Sequence, residues 1–268
     1  MRGHSIPISV PRRIVTDYMR LAATIPNPPV IERTVDLGAV MAARAACSPR
    51  PSWAAIFAKA YALTAQEFPE FRRIFLKWPW PHLYEYPVSV AMLSIDRTYR
   101  GEEVVLPRLI KDPAARSIDD IAQTIRHAKA ASLHDIKDFR RAVAIAKLPG
   151  RLRRLVWWLG FNIGRQRANY FGTFVISTVA AFGGDSLNLP LVTTIFLTYG
   201  FIDADQRCKV RVAFDHRVFD GVAVARALVR LEAILNTAIV EELLGMKAAP
   251  APAAGIKPAQ VFAEIAGR

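Results

Sequence analysis

Residues 209–231, KVRVAFDHRVFDGVAVARALVRL, change their hydrophobic period within a few positions. Lys209 to Phe214 alternate charged and apolar residues, the pattern of a half-buried strand. From Val222 onward apolar residues recur at three- and four-residue spacing, the pattern of an amphipathic helix. A chain that makes this switch must turn between the two elements, and His216 stands at that turn. Rigid elements on both sides can hold an imidazole there in one orientation.

The chain has 268 residues, enough for one large domain or two small ones. Its 36 Lys and Arg against 23 Asp and Glu give a formal charge of +13, which favours anionic partners such as phosphorylated cofactors, acidic carrier proteins, anionic lipid or nucleic acid. Mean hydropathy is +0.19, high for a basic protein, and points to subunit burial or to contact with apolar material. Cys47 and Cys208 stand alone without CxxC spacing, as expected of reduced cysteines in a cytoplasmic protein. The N-terminus MRGHSIPISVPRR lacks the apolar core of a signal peptide. The most apolar region, 171–202, is rich in β-branched residues and broken by Gly183, Gly184, Asp185 and Pro190, so it predicts buried strands, not a spanning helix.

In order, the pattern predicts a helix over 7–25 stopped by TIPNPP, a strand in VIERTVDL, and a Ser52-capped helix over 52–68. FRRIFLKW and PVSVAMLSI are further strand candidates. Ser117 with two aspartates opens a helix over 117–131. GTFVISTVA and LVTTIFLTYGFI supply two more strands, and AAPAPAAGIKP reads as a linker to a tail. The expected class is α+β, a mixed sheet with helices packed on one side, with the folded domain over 1–247 and a linker and tail over 248–268.

A neutral imidazole at a strand end accepts a proton from a thiol, hydroxyl or amine, because its pKa lies near working pH. Its second ring nitrogen needs an acceptor to fix the tautomer. Asp220 could serve, or could pair with an arginine and brace the turn, and Gly221 suits a tight turn.

DHRVFDG, with FGTFVIST and FGGDS upstream, resembles the catalytic domain of the dihydrolipoamide acyltransferases of 2-oxoacid dehydrogenase complexes. PRRIVTDYM followed by TIP, PVIERTVDL, KAYALTAQEFPEF and YPVSVAMLSIDRTYRGEEVVLPRLIKDPAARSIDDIA resemble further segments of that domain in the same order. The resemblance, over about residues 7–245, implies a chloramphenicol acetyltransferase-like fold, usually trimeric, with active sites between subunits. It implies His216 as general base and Ser177 as donor to the tetrahedral oxyanion. It implies a chiefly structural Asp220, with Arg12 as its partner and Gly221 in support. Acyl-CoA or an acyl carrier protein would be the co-substrate.

Three features depart from that pattern. The chain leaves no room for a lipoyl or subunit-binding domain, so the expectation is a stand-alone acyltransferase acting on a hydroxyl, amine or thiol. The family's Asn after the serine is Thr178. Residues 147–170, KLPGRLRRLVWWLGFNIGRQRANY, hold six basic residues and no acidic one. There Arg153, Arg154, Trp157, Trp158 and Phe161 are the candidates for membrane or acyl-chain contact, the composition of an interfacial helix. Packing against a neighbouring subunit and docking of a carrier protein or CoA are the other readings of that segment. The protein is expected in the cytoplasm, with any peripheral contact on the inner face of the membrane. His127 and His134 lack a third metal ligand, GGDS matches no phosphate loop, and no nucleic-acid signature is present. Competing readings are a non-catalytic assembly or carrier-binding homologue, and a dehydrogenase-complex core whose lipoyl domain is a separate chain.

Overall fold

The computed structural model describes residues 7–25, 27–178 and 190–247. Helix α1 (Val10–Ala22) is capped by Ser9, whose Oγ accepts from the Arg12 amide at 3.2 Å. Strand β1 (Val30–Asp36), α2 (Gly38–Ala45) and α3 (Trp53–Glu67) follow, the last with Ser52 accepting from the Ala55 amide. A 3-10 turn (Pro69–Arg72) leads into a small hairpin, β2 (Arg73–Leu76) and β3 (His82–Glu85). Next come β4 (Val90–Tyr99), β5 (Glu102–Lys111) and α4 (Ile118–Ala130), which Ser117 caps as predicted. Three helices occupy the next stretch: α5 (Lys137–Lys147), α6 (Gly150–Asn162) and α7 (Gly164–Phe171). β6 (Phe174–Ile176), β7 (Ile195–Ile202), β8 (Arg207–Phe214) and α8 (Gly221–Ile234) complete the main body, and α8 runs through a π-helical turn into α9 (Val240–Lys247).

Six strands form one mixed sheet in the order β1-β8-β7-β6-β4-β5. The β4–β6 and β6–β7 pairs are parallel and the others antiparallel. Strict alternation along the central strands assigns their residues to two cores. Leu93, Ile176, Leu197 and Val212 face the larger one, which α3, α4, α8 and α9 cover. Met92, Val175, Phe196 and Ala213 face a second core with Leu21, Trp157, Phe161 and Phe171. The α+β class and the mixed sheet agree with the sequence reading. The placement of helices does not: α1, α6 and α7 cover the second face, because both faces of the central strands are apolar and neither can be left in water.

The turn from α7 into β6 depends on Gly172. Its φ is +72°, and a Cβ there would lie 2.6 Å from the Val90 carbonyl oxygen. The neighbouring Thr173 amide donates to that same oxygen at 2.7 Å, which aligns β6 beside β4. The segment FGGDS and residues 248–268 lie outside the described residues.

Candidate active site

β8 carries the chain to Phe214, and the next five residues form a braced loop. The Asp215 amide donates to the Thr194 carbonyl at 3.0 Å, and the Thr194 hydroxyl donates to the Arg73 carbonyl at 2.6 Å. The Asp215 carboxylate is buried and accepts from the Arg217 amide, Nε and Nη2 at 3.1, 2.8 and 2.7 Å. Arg217 in turn lies over the Phe75 ring, 4.5 Å from its centroid, while Phe219 is buried and stacks on Phe71. Between these anchors the His216 side chain projects outward, 59% exposed within one chain.

His216 Nδ1 lies 2.8 Å from the Phe219 carbonyl oxygen. A carbonyl can only accept, so in the neutral ring Nδ1 carries the proton and Nε2 presents its lone pair outward. Asp220 Oδ1 is 3.7 Å from the same nitrogen, beyond hydrogen-bond reach, and its side chain is 89% exposed. The backbone carbonyl, rather than the carboxylate, therefore fixes the tautomer.

Ser177 follows β6 immediately, its amide donating to the Leu197 carbonyl at 3.3 Å. β6 is three residues long, and beyond it the Ser177 amide and the Thr178 hydroxyl still bond β7, at the Leu197 and Tyr199 carbonyls. Ser177 and Ser94 line two cavities, one on each face of the sheet. One cavity, about 670 Å³, includes Arg44, Trp53, Lys129 and Tyr199. The other, about 320 Å³, is bounded by α1, α6 and α7. Thr178 donates its hydroxyl to the Tyr199 carbonyl at 2.7 Å and helps hold the strand end in place.

Register fixes where the two candidate residues lie in one chain. Ile176 pairs with Leu197, which puts Ser177 level with Thr198. Ile195 pairs with Phe214 and Asp215 bonds Thr194, which puts His216 level with Thr193. Five residues along the strands and two strand spacings across them amount to roughly 20 Å, at about 3.3 Å per residue and about 4.8 Å per strand. The two side chains sit at opposite ends of the central strands, and His216 lines neither cavity that Ser177 lines.

No protein-family model matches the chain, and no curated protein matches it in sequence. Solved structures do. A probable dihydrolipoamide acetyltransferase from Listeria monocytogenes 4b F2365 superposes with a TM-score of 0.61 at 19% identity, covering 90% of this chain and 95% of that one. The Azotobacter vinelandii dihydrolipoamide acetyltransferase gives 0.62 at 17%, covering 89% and 94%. A chloramphenicol acetyltransferase gives 0.50 at 15%, covering 87% and 100%. The chain has the chloramphenicol acetyltransferase-like fold.

Within that fold the remaining predicted residues divide. Arg12 does not reach Asp220: it is exposed and lies 3.8 Å from Glu102. The pair that braces the loop is buried Asp215 with the more exposed Arg217, whose signal in the sequence is the Asp-His-Arg flanking of the histidine. Gly221 opens α8 without a positive φ, and a Cβ there would meet only Ile31 at 3.5 Å, so no tight approach requires it. The five α6 candidates split by face. Trp157 and Phe161 are buried, and Trp157 Nε1 donates to the buried carboxylate of Asp17 at 2.9 Å. Arg153 forms an ion pair with the same carboxylate at 2.7 Å, which fastens α6 to α1. Only Arg154 and Trp158 remain outside, alongside exposed Leu152, Leu155 and Leu159. Cys47 and Cys208 are both buried, their thiols directed at the Leu243 and Gly200 carbonyls, each at 3.4 Å. Among the described residues no helix is long and apolar enough to cross a membrane, and no three His, Cys, Asp or Glu side chains cluster as a metal site.

Proposed function

We propose that this protein is an acyltransferase, with His216 of one copy facing Ser177 of another. His216 Nε2 takes the proton of an acceptor hydroxyl, amine or thiol as that atom attacks the thioester carbonyl. The carbonyl oxygen becomes an oxyanion, to which the Ser177 hydroxyl donates; a donor so placed lowers the barrier by about 3 kcal/mol. Collapse re-forms the carbonyl and breaks the carbon–sulfur bond. The departing thiolate takes the proton from the imidazolium, leaving an acylated acceptor and a free thiol.

The observation that carries the reading is the bond of His216 Nδ1 to the Phe219 carbonyl, which leaves Nε2 as the free base. The likeness to acetyltransferases supports it. In the Azotobacter enzyme a serine, a histidine and an asparagine four positions beyond the histidine have been investigated for catalytic roles; here that spacing leads from His216 to Asp220. Arg44 and Lys129 on the larger cavity suit the phosphates of CoA or the acidic surface of a carrier protein. Separation of the two side chains within one chain supports a closed homo-oligomer, a trimer by analogy with the fold, whose sites form between copies. The outer face of α6 supports work at an anionic lipid surface on the cytoplasmic side.

Thiol release from an acyl-CoA panel with mixed acceptors tests this. His216→Ala and Ser177→Ala should each lose at least a hundredfold. Co-assembled from equal parts of the two variants, a cyclic oligomer should recover about one site in four. No release by the assembled wild type, at any chain length, overturns the reading in favour of a non-catalytic scaffold.

A further inference from the structure

The cavity on the α1–α6 face of the sheet differs in chemistry from the larger one. Its walls include Leu21, Met92, Ala142, Trp157, Phe171 and Phe196, and it holds about 320 Å³. Among the described residues no carboxylate, lysine or arginine lines it. The polar side chains among its described lining residues are those of Ser94, Ser177, Tyr18 and Trp157. Two of these are already engaged: Trp157 Nε1 by Asp17, and the Tyr18 hydroxyl by the Pro190 carbonyl at 3.4 Å. Burial also pushes the Tyr18 phenol far above its ordinary value, so it stays neutral. A chamber of this kind offers water few partners and favours apolar ligands.

We infer that this cavity receives the hydrocarbon tail of the acyl donor, so that the substrate class is a medium-chain acyl thioester rather than an acetyl one. The inference rests on the acyltransferase reading of Ser177. The geometry fits it: Ser177 lines both cavities, so a carbonyl held at its hydroxyl has the carrier on the Arg44 side and its tail on the Trp157 side. A methylene fills about the volume of a liquid water, ~30 Å³, so the chamber holds on the order of ten carbons. Trp157 comes from the segment that departs most from the family pattern, and its inward face supplies a wall that an acetyl group would not need.

Acyl-CoAs of increasing chain length test the tail site by turnover and by binding. Release rates should rise about fourfold in kcat/KM per added methylene, from the transfer free energy of each buried methylene, up to roughly ten carbons, and then fall. Val15, on the half-exposed rim of the cavity, can be changed without emptying the core. Val15→Trp should lower the decanoyl-to-acetyl ratio at least tenfold, and Ala142→Phe, deeper in, should do the same if it folds. Independently of turnover, decanoyl-CoA should raise Tm more than acetyl-CoA does, and Val15→Trp should abolish the difference. Turnover that is fastest with acetyl-CoA overturns the tail site and leaves the acyltransferase reading intact. Stabilisation by decanoyl-CoA without turnover of any thioester upholds the tail site and overturns the reading. Equal effects of all chain lengths in both measurements overturn the tail site.

Discussion

Asp215 and Asp220 flank one imidazole, yet only the first is tied into the structure. Three bonds from Arg217 converge on Asp215, which is buried, whereas the Asp220 side chain is 89% exposed within one chain. Asp215→Ala should therefore lower stability by about 2 kcal/mol, the order of a charged hydrogen-bond pair with one partner partly exposed, and displace His216 enough to cost at least tenfold in rate. Asp220→Asn should leave the melting temperature unchanged and the rate within about threefold. Thermal denaturation with thiol-release kinetics reads both. The sequence makes the histidine and its turn legible through the change of period at Phe214. It does not tell which aspartate is buried, because that is decided by Thr194 and Phe75, far along the chain. Nor does spacing predict that a backbone carbonyl two atoms past Phe219 Cα would orient the ring.

Elements with a capping serine or an alternating start were readable. α3 and α4 open at Ser52 and Ser117, β1 alternates, and β8 alternates up to Val210 before being buried on both faces. α6 turns Trp157 and Phe161 inward and Leu152, Leu155 and Leu159 outward, so its apolar residues occur all round and its composition hides the orientation. Its outer face adjoins a groove of about 710 Å³ lined by Arg20, Lys77, Arg154, Trp78 and Trp158, with no acidic residue among the described ones. Such a face should hold phosphatidylglycerol vesicles but not phosphatidylcholine ones in co-sedimentation. Reversing Arg151 and Arg154 to Glu should weaken binding at least tenfold, at about 1 kcal/mol per basic residue, and salt should do likewise. Glycines give a second contrast at this scale. Gly172→Ala must bring a Cβ against the Val90 carbonyl at positive φ and should cost about 3 kcal/mol or more. Gly221→Ala should be neutral or gain up to about 1 kcal/mol as a helical position. Chemical denaturation of the two variants separates them.

At the scale of the whole chain, the sheet is sandwiched between two helical layers, and its two catalytic candidates are set at opposite ends of the central strands. Periodicity could not show this second layer, since strands buried on both faces lose their alternation in composition even when it persists in space. That Ser94 and Ser177 line both cavities has one more consequence. A donor seated as inferred above is held at these two side chains, and its reactive carbon stands at one height whatever trails beyond. The pair would act as a collar, indifferent to length. Added carbons then contribute equally before and during the chemical step, so across a series of donors KM should fall while kcat stays level.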